Sequence, residues 1–313
     1  MNADLFRRDL EAKPAALREL AAALDDADVW AFARPVRRVL LVGMGSSRYA
    51  AEVAARALRR RGITAIADYA SVEATLPADA STPDANTLVV AISATGTSVE
   101  TVEAMSHHSA FVALTNDPGA PLARSATEVV PMRAGAESGG VACRTFQHTL
   151  ILLMALAGAI TGDRVRRTAE ATTDLLERRD QWLPRTLELL DGPDGVYALA
   201  PAERLSSALQ SALMIREGPR RAAVGCETGD WSHVDVYLTK TLDYRALMFP
   251  GSRYDDQALD WIRQRGSTLV AVGADVPDAA QSIRYRGDDD PTVRLFTETL
   301  IAELVAAAWW AAA

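Results

Sequence analysis

Short apolar runs recur along this chain, and each is followed by a segment patterned as a helix. VRRVLLVG (36–43), ITAIADYA (63–70), TLVVAIS (87–93), AFVALTN (110–116) and EVVPM (128–132) alternate with helical spacing over 46–61, 71–76 and 98–105. Strands that are apolar at nearly every position must be covered on both faces, and intervening helices supply that cover, so the pattern predicts a parallel, doubly wound sheet. A long buried helix is predicted over 140–160, where TLILLMALAGAI is apolar for only 12 residues, too few to span a bilayer.

The rhythm then repeats. A charged helical stretch, TGDRVRRTAEATTDLLERRDQWLPRTLELLDGPDG, ends in a Gly/Pro cluster and reads as a bridging helix. Beyond it GVYALA (195–200), YRALMF (244–249), TLVAVGA (268–274) and SIRYRG (282–287) read as strands, with helices over 203–217, 255–265 and 292–310. The fold class expected is therefore α/β, with two doubly wound parallel-sheet domains in tandem, residues 1–163 and 164–313, joined by a helix. With 313 residues each can bury its own core. An amphipathic helix over 14–32 precedes the first strand.

Charge and cysteine content narrow the partners. A net charge of −8 disfavours nucleic acid or an acidic membrane surface, both of which need a concentrated positive field, and the basic runs at 58–62 and 218–222 read as solvated helix ends. Two distant cysteines suggest neither a disulfide framework nor a metal centre. No apolar core follows the N-terminal charges, so a cytoplasmic protein is expected.

Two strand-to-helix turns carry unusual chemistry. The first offers Gly43, Gly45, Ser46 and Ser47; the second offers Ser93, Thr95, Gly96, Thr97 and Ser98. Hydroxyls, tight glycine turns and the unpaired N–H groups of a helix start together suit a phosphate. GMGSS lacks the third glycine of a dinucleotide fingerprint and no GK[ST] follows, so a nucleotide-dependent oxidoreductase is only a distant alternative.

GMGSSRYAAEVA, then ISATGTSVETV, then GAESGGVACRTF resemble, in order and spacing, the SIS (sugar isomerase) domain family, and in particular the tandem-SIS isomerase half of glucosamine-6-phosphate synthase. The resemblance covers nearly the whole chain and implies a flavodoxin-like, SIS-type fold. It implies that Ser46, Ser47, Ser93, Thr95 and Ser98 hold the phosphate of a phosphosugar, and that Gly45, Glu137 and Ala142 line the sugar. Ala94, Thr97 and Ala142 depart from the family, which has glutamine, glutamate and serine there.

The resemblance also implies a base and a ring-opening group. Glu217 ends the segment that matches the family's LGRGxxYPxALEGALKLKE, and His233 follows sixteen residues later, as the family's histidine does. A carboxylate to carry a carbon-bound proton and an imidazole near neutral pKa suit an aldose/ketose isomerisation or an amino-sugar-phosphate deamination. The loop around His233 is altered, with Asp230 and Asp235 beside it. The family's tail lysine is missing from AELVAAAWWAAA, which disfavours a Schiff base there, and Lys240 is assigned no role. Nothing in the chain reads as a glutaminase. Of the other histidines, His107 and His108 read as a solvated helix end and His148 as a core histidine. No cofactor and no metal are expected. The expected partner is a small phosphosugar, with a homodimer sharing its active sites and the Trp309–Trp310 helix buried at a dimer or domain interface. A non-catalytic, regulatory phosphosugar-binding protein is the alternative.

Overall fold

The computed structural model describes residues 1–75 and 86–313. By contacts it divides into two compact units, one formed by Ala16–Ala136 and Ala142–Val165, the other by Met1–Ala15, Glu137–Val141 and Arg166–Ala313. We call them the sheet A unit and the sheet B unit.

The sheet A unit contains five parallel strands, β1 (Arg38–Gly43), β2 (Thr64–Tyr69), β3 (Thr87–Ile92), β4 (Val112–Thr115) and β5 (Glu128–Pro131), in the order β2-β1-β3-β4-β5. A short helix, α1 (Ala3–Glu11), opens the chain, and α2 (Lys13–Asp26) follows it. α1 belongs to the sheet B unit; the helices lying wholly in the sheet A unit, among the described residues, are α3 (Gly45–Arg60), α4 (Ala70–Glu73), α5 (Val99–Met105), α6 (Pro121–Ser125) and α7 (Arg144–Leu156). Small side chains let α3 lie close to the strands: Ala50, Ala51, Ala54 and Ala55 form its buried face with Val53 and Leu58. α7 is shorter than the predicted 140–160 helix and is buried along most of its length.

Sheet B is also five-stranded and parallel. It comprises β6 (Val196–Ala200), β7 (Ala223–Glu227), β8 (Arg245–Met248), β9 (Thr268–Val272) and β10 (Gln281–Ile283), in the order β10-β9-β8-β6-β7. Its helices are α8 (Gly162–Glu177), α9 (Arg179–Leu190), α10 (Leu205–Glu217), α11 (Thr228–Trp231), α12 (Asp255–Arg265), α13 (Pro291–Thr297) and α14 (Thr299–Ala312). Gly266 closes α12 in the left-handed conformation (φ 64°), and Asp290 opens α13 by accepting the Thr292 N–H, with Pro291 in the first turn.

Several sequence expectations need correction. The charged stretch after residue 161 is two helices, α8 and α9, and α9 packs against β8, β9 and β10 as part of the sheet B unit. β7 was not foreseen, because an edge strand with one buried position and Gly225 at its centre has little apolar signature. α1 escaped notice for a similar reason: only Phe6, Asp9 and Leu10 of its nine residues are buried. The helix predicted over 71–76 is α4; position 76 lies outside the described residues. The segment Pro291–Ala312 is longer than 149–160 and could cross a bilayer by length and composition, yet 72% of its most apolar 18-residue window is buried inside the protein.

His108 is not solvated. α4 lies against α5, and His108, just beyond the end of α5, is buried with Nε2 3.4 Å from the Glu73 carboxylate. His107 is exposed. His148 is buried with Nδ1 2.8 Å from the Met132 carbonyl.

Candidate functional site

β1 and β3 lie side by side in register, Gly43 opposite Ile92, so the two hydroxyl-bearing turns leave the sheet together. The strand order also reverses here, which in doubly wound sheets opens the crevice used for ligands. A side chain on Gly43 would come within 3.0 Å of Ser47 Cβ and 3.2 Å of the Ile92 carbonyl, so only glycine lets the turns approach this closely. Met44 precedes α3 and supplies no side-chain cap; its carbonyl accepts the Ser47 N–H at 3.1 Å, and the Gly45 and Ser46 N–H groups ahead of it have no partner among the described residues. Ser46 and Ser47 are half-buried, and their hydroxyls make no hydrogen bond within the protein among the described residues. Arg48 turns away: its guanidinium pairs with Glu52 and stacks 3.9 Å over the Tyr69 ring.

The second turn is braced from beneath. The buried Ser93 hydroxyl accepts the Gly96 N–H at 3.1 Å and keeps its own proton to donate. The Ala94 carbonyl accepts from the Asn116 N–H at 3.0 Å and from the Thr115 hydroxyl at 3.3 Å. Thr95 and Thr97 are exposed, their hydroxyls 2.8 Å apart. Ser98 donates to Glu100 at 3.0 Å and accepts from Thr101 at 3.1 Å. Its own backbone N–H and the Ser98 hydroxyl hold the Glu100 carboxyl below the usual range, so a phosphate contacting Ser98 must draw that hydroxyl away from an ionised carboxylate. The sequence reading missed Thr115 and Asn116. Asn116 also ties down Ala134 and Gly135, accepting from the first at 2.9 Å and donating to the second at 2.8 Å. Both residues sit one strand away from the turn they support, a relation visible only once β3 and β4 are paired.

Gly96 has φ +64°, and an added Cβ would fall 2.5 Å from Ala120 Cβ. Gly96→Ala should therefore destabilise the protein by about 1–3 kcal/mol through backbone strain and a steric clash, read as a lowered unfolding midpoint in denaturant. An unchanged midpoint would contradict this account of the turn.

The corresponding place in sheet B, where β6 and β8 neighbour each other, is filled by the protein itself. Arg204, after β6, donates to the Phe249 and Pro250 carbonyls beyond β8 at 3.2 and 2.6 Å and pairs with the buried Glu298 at 2.9 Å. A guanidinium occupies the crevice in which a ligand would otherwise sit.

Glu217 ends α10, half-buried, and burial together with the Glu137 carboxylate pushes its carboxyl above the ordinary glutamate value. The negative pole of the helix terminus acts in the same direction. Glu137 lies in the segment Glu137–Val141, which belongs to the sheet B unit, whereas Ala142 belongs to the sheet A unit. His233 follows α11 on an exposed turn, its N–H donating to the Asp230 carbonyl at 2.8 Å. Its imidazole makes no hydrogen bond or ion pair among the described residues. The neighbouring Trp231 is buried and donates to the Tyr244 hydroxyl at 2.7 Å. Burial, with Asp230 close by, raises Asp235 above the normal carboxylate range.

The SIS domain family's sequence model matches residues 34–159, which include both turns. A glutamine–fructose-6-phosphate aminotransferase [isomerizing] from Pyrobaculum aerophilum is 28% identical over 94% of this chain and 52% of its own length. The chain spans about half or less of the curated relatives it matches, 36% of the one from Aeropyrum pernix. Among solved structures, tagatose-6-phosphate ketose/aldose isomerase from Escherichia coli superposes with a TM-score of 0.82 at 16% identity, covering 98% of this chain and 94% of that one. The C-terminal domain of glucosamine-fructose-6-phosphate aminotransferase from Francisella tularensis gives 0.79 at 15% identity, covering 98% and 96%. The part of the chain that matches the SIS domain family is thus the one that carries both glycine- and hydroxyl-bearing turns at the first sheet's reversal point.

Proposed function

We propose that this chain is a phosphosugar-acting SIS enzyme, an aldose/ketose isomerase or an amino-sugar-phosphate deaminase, built from two SIS-type domains in tandem. The observation that carries this reading is the pair of hydroxyl-bearing turns side by side at the end of β1 and β3. The Gly45 and Ser46 N–H groups at the start of α3, with the Ser46 and Ser47 hydroxyls, would take up the phosphate oxygens, and Ser93, Thr95 and Ser98 would complete the cradle. Gly45, Glu137 and Ala142 would face the sugar. Glu217, raised above its ordinary value, is suited to collect a carbon-bound proton and return it, and His233 would protonate the ring oxygen. The exposed, unbonded imidazole of His233 favours its delivery into the site of a second copy in a homodimer. The same exposure is the observation in favour of the second reading, a regulatory protein that binds phosphosugar without turning it over.

A thermal-shift series tests the binding half of the proposal. Fructose-6-phosphate and glucosamine-6-phosphate are expected to raise the unfolding temperature, by about 2.7 kcal/mol of stabilisation at a hundredfold excess over Kd, while fructose and glucosamine leave it unchanged. Equal silence towards all four would remove the phosphate cradle. Consumption of the stabilising sugar phosphates, followed by product analysis, then separates enzyme from sensor.

A further inference from the structure

The end of α10, the segment carrying Glu137 and the two termini of the chain meet within the sheet B unit. Gly139 is clasped by α1. Its N–H donates to the Asp9 carboxylate at 2.7 Å, its carbonyl accepts the Asn2 N–H at 3.1 Å, and a Cβ on it would lie 2.5 Å from Phe6 Cα. Phe6, fully buried, meets Trp310 with ring centroids 6.0 Å apart and planes tilted by 48°. Trp310 in turn lies against Gly218, directly after Glu217, with Cε3 3.1 Å from where a Cβ would stand. The contacts thus run from Gly139, two residues beyond Glu137, through Phe6 and Trp310 to Gly218, one residue beyond Glu217.

We propose that Phe6 and Trp310 are positioning residues for Glu217, an aromatic bracket that holds the end of α10 against the Glu137 segment and keeps water from the Glu217 carboxylate. The inference rests on the reading of Glu217 as the proton-transfer base. Nothing about Trp310 suggests this from sequence, where it is one of two tryptophans in an alanine-rich tail. In the structure that tail does not stand free: Trp309 lies under the Arg221 guanidinium at 4.1 Å and Trp310 packs on Phe6 and Gly218, so the chain itself covers part of both rings. The bracket also gives the N-terminal helix a task, since α1 contacts both the Glu137 segment and α14.

The charged groups on the elements packed around this end of α10 are few. Glu137 comes from the clasped segment, and Arg216, Arg220 and Arg221 flank the helix end in sequence. Glu303 on α14 is neutralised by Lys13, and Glu227 closes β7. Among the described residues Glu137 opposes ionisation of Glu217 by its charge, and burial acts in the same direction; on this proposal the bracket sustains that burial.

The test is a carbon-13 titration of the full chain labelled at the glutamate carboxyl carbons, with the Glu217 resonance assigned by its loss in Glu217→Gln. Trp310→Ala should move the Glu217 titration down towards the ordinary glutamate range, while Trp310→Phe retains most of the wild-type position. On fructose-6-phosphate or glucosamine-6-phosphate the acid limb of the pH–rate profile should move the same way, with kcat reduced about tenfold or more through lost positioning. A folded Trp310→Ala protein with an unmoved titration overturns the bracket. If that variant does not fold, Asp9→Asn, which loosens Gly139 without removing an aromatic ring, and Trp310→Leu decide by the same shift. A moved titration in a protein that turns over no sugar phosphate supports the bracket and removes the base role; turnover lost in Glu217→Gln with titration and profile unmoved in Trp310→Ala does the reverse.

Discussion

Glu217→Gln is expected to lower turnover of the cognate sugar phosphate by about 10²–10⁴-fold, the range for loss of a positioned proton-transfer group, while the thermal shift produced by that ligand survives. The amide keeps the size of the side chain and cannot accept the proton. Steady-state turnover beside ligand-induced stabilisation separates this outcome from a general loss of structure. The pH dependence supplies a second readout. Burial and the Glu137 charge raise the Glu217 carboxyl above its ordinary value, so the ionised base is depleted as pH falls through that raised value, and the rate falls with it. Glu137→Gln removes the like charge, lowers the Glu217 value and shifts the acid limb to lower pH. A profile that stays in place in Glu137→Gln would mean that the Glu137 carboxylate does not act on Glu217.

The largest effect on stability is expected at Lys13. Its ammonium is 1% exposed and pairs with Glu303, itself completely buried on α14, whose other oxygen lies 3.4 Å from the Thr299 hydroxyl. Lys13→Met leaves a carboxylate in an apolar interior without its cation, and such broken pairs typically cost about 3–5 kcal/mol. Burial raises Glu303 above the ordinary glutamate value of 4.5 in the folded protein, with Lys13 opposing, and loss of the lysine raises it further. A folded-state value above the unfolded one favours the folded state below about pH 4.5, and that contribution is lost as pH rises through the folded value. The defect of Lys13→Met should accordingly be greatest at neutral pH and shrink as the solution is acidified towards pH 4.5. The double variant Lys13→Met/Glu303→Leu, which removes both charges, should recover most of the loss. Chemical denaturation from pH 4.5 to 8 measures all three; a single variant as stable as the wild type at pH 7 would show that Glu303 does not depend on Lys13.

Two parallel sheets could be read from the chain because their evidence is local. A strand covered on both faces must be apolar at nearly every position, as in TLVVAI, and the helix that covers it must repeat its apolar face every three to four residues, whatever lies elsewhere in the chain. The two hydroxyl-bearing turns were legible for the same reason, since glycines, serines and threonines at a strand-to-helix junction can be recognised within a dozen residues. β7 was not, because an edge strand packs only in part and needs little apolar character.

What tertiary packing alone decided depends on residues far apart in the chain. Gly43 and Ile92 are neighbours only through pairing of β1 with β3, and Thr115 and Asn116 brace the second turn only because β4 lies next to β3. Arg204 reads as an ordinary arginine at a helix start, yet with Glu298, 94 positions away, it fills the crevice of sheet B. Lys13 and Glu303 are separated by 290 positions, and neither has a local pattern that foretells its burial. Phe6, Gly139, Trp310 and Gly218 likewise become one group only when both chain termini fold onto the end of α10. Periodicity and turn chemistry are short-range consequences of backbone geometry and so are written into neighbouring residues; the pairing of buried charges and the setting of Glu217 come from contacts that exist only after the chain has closed on itself.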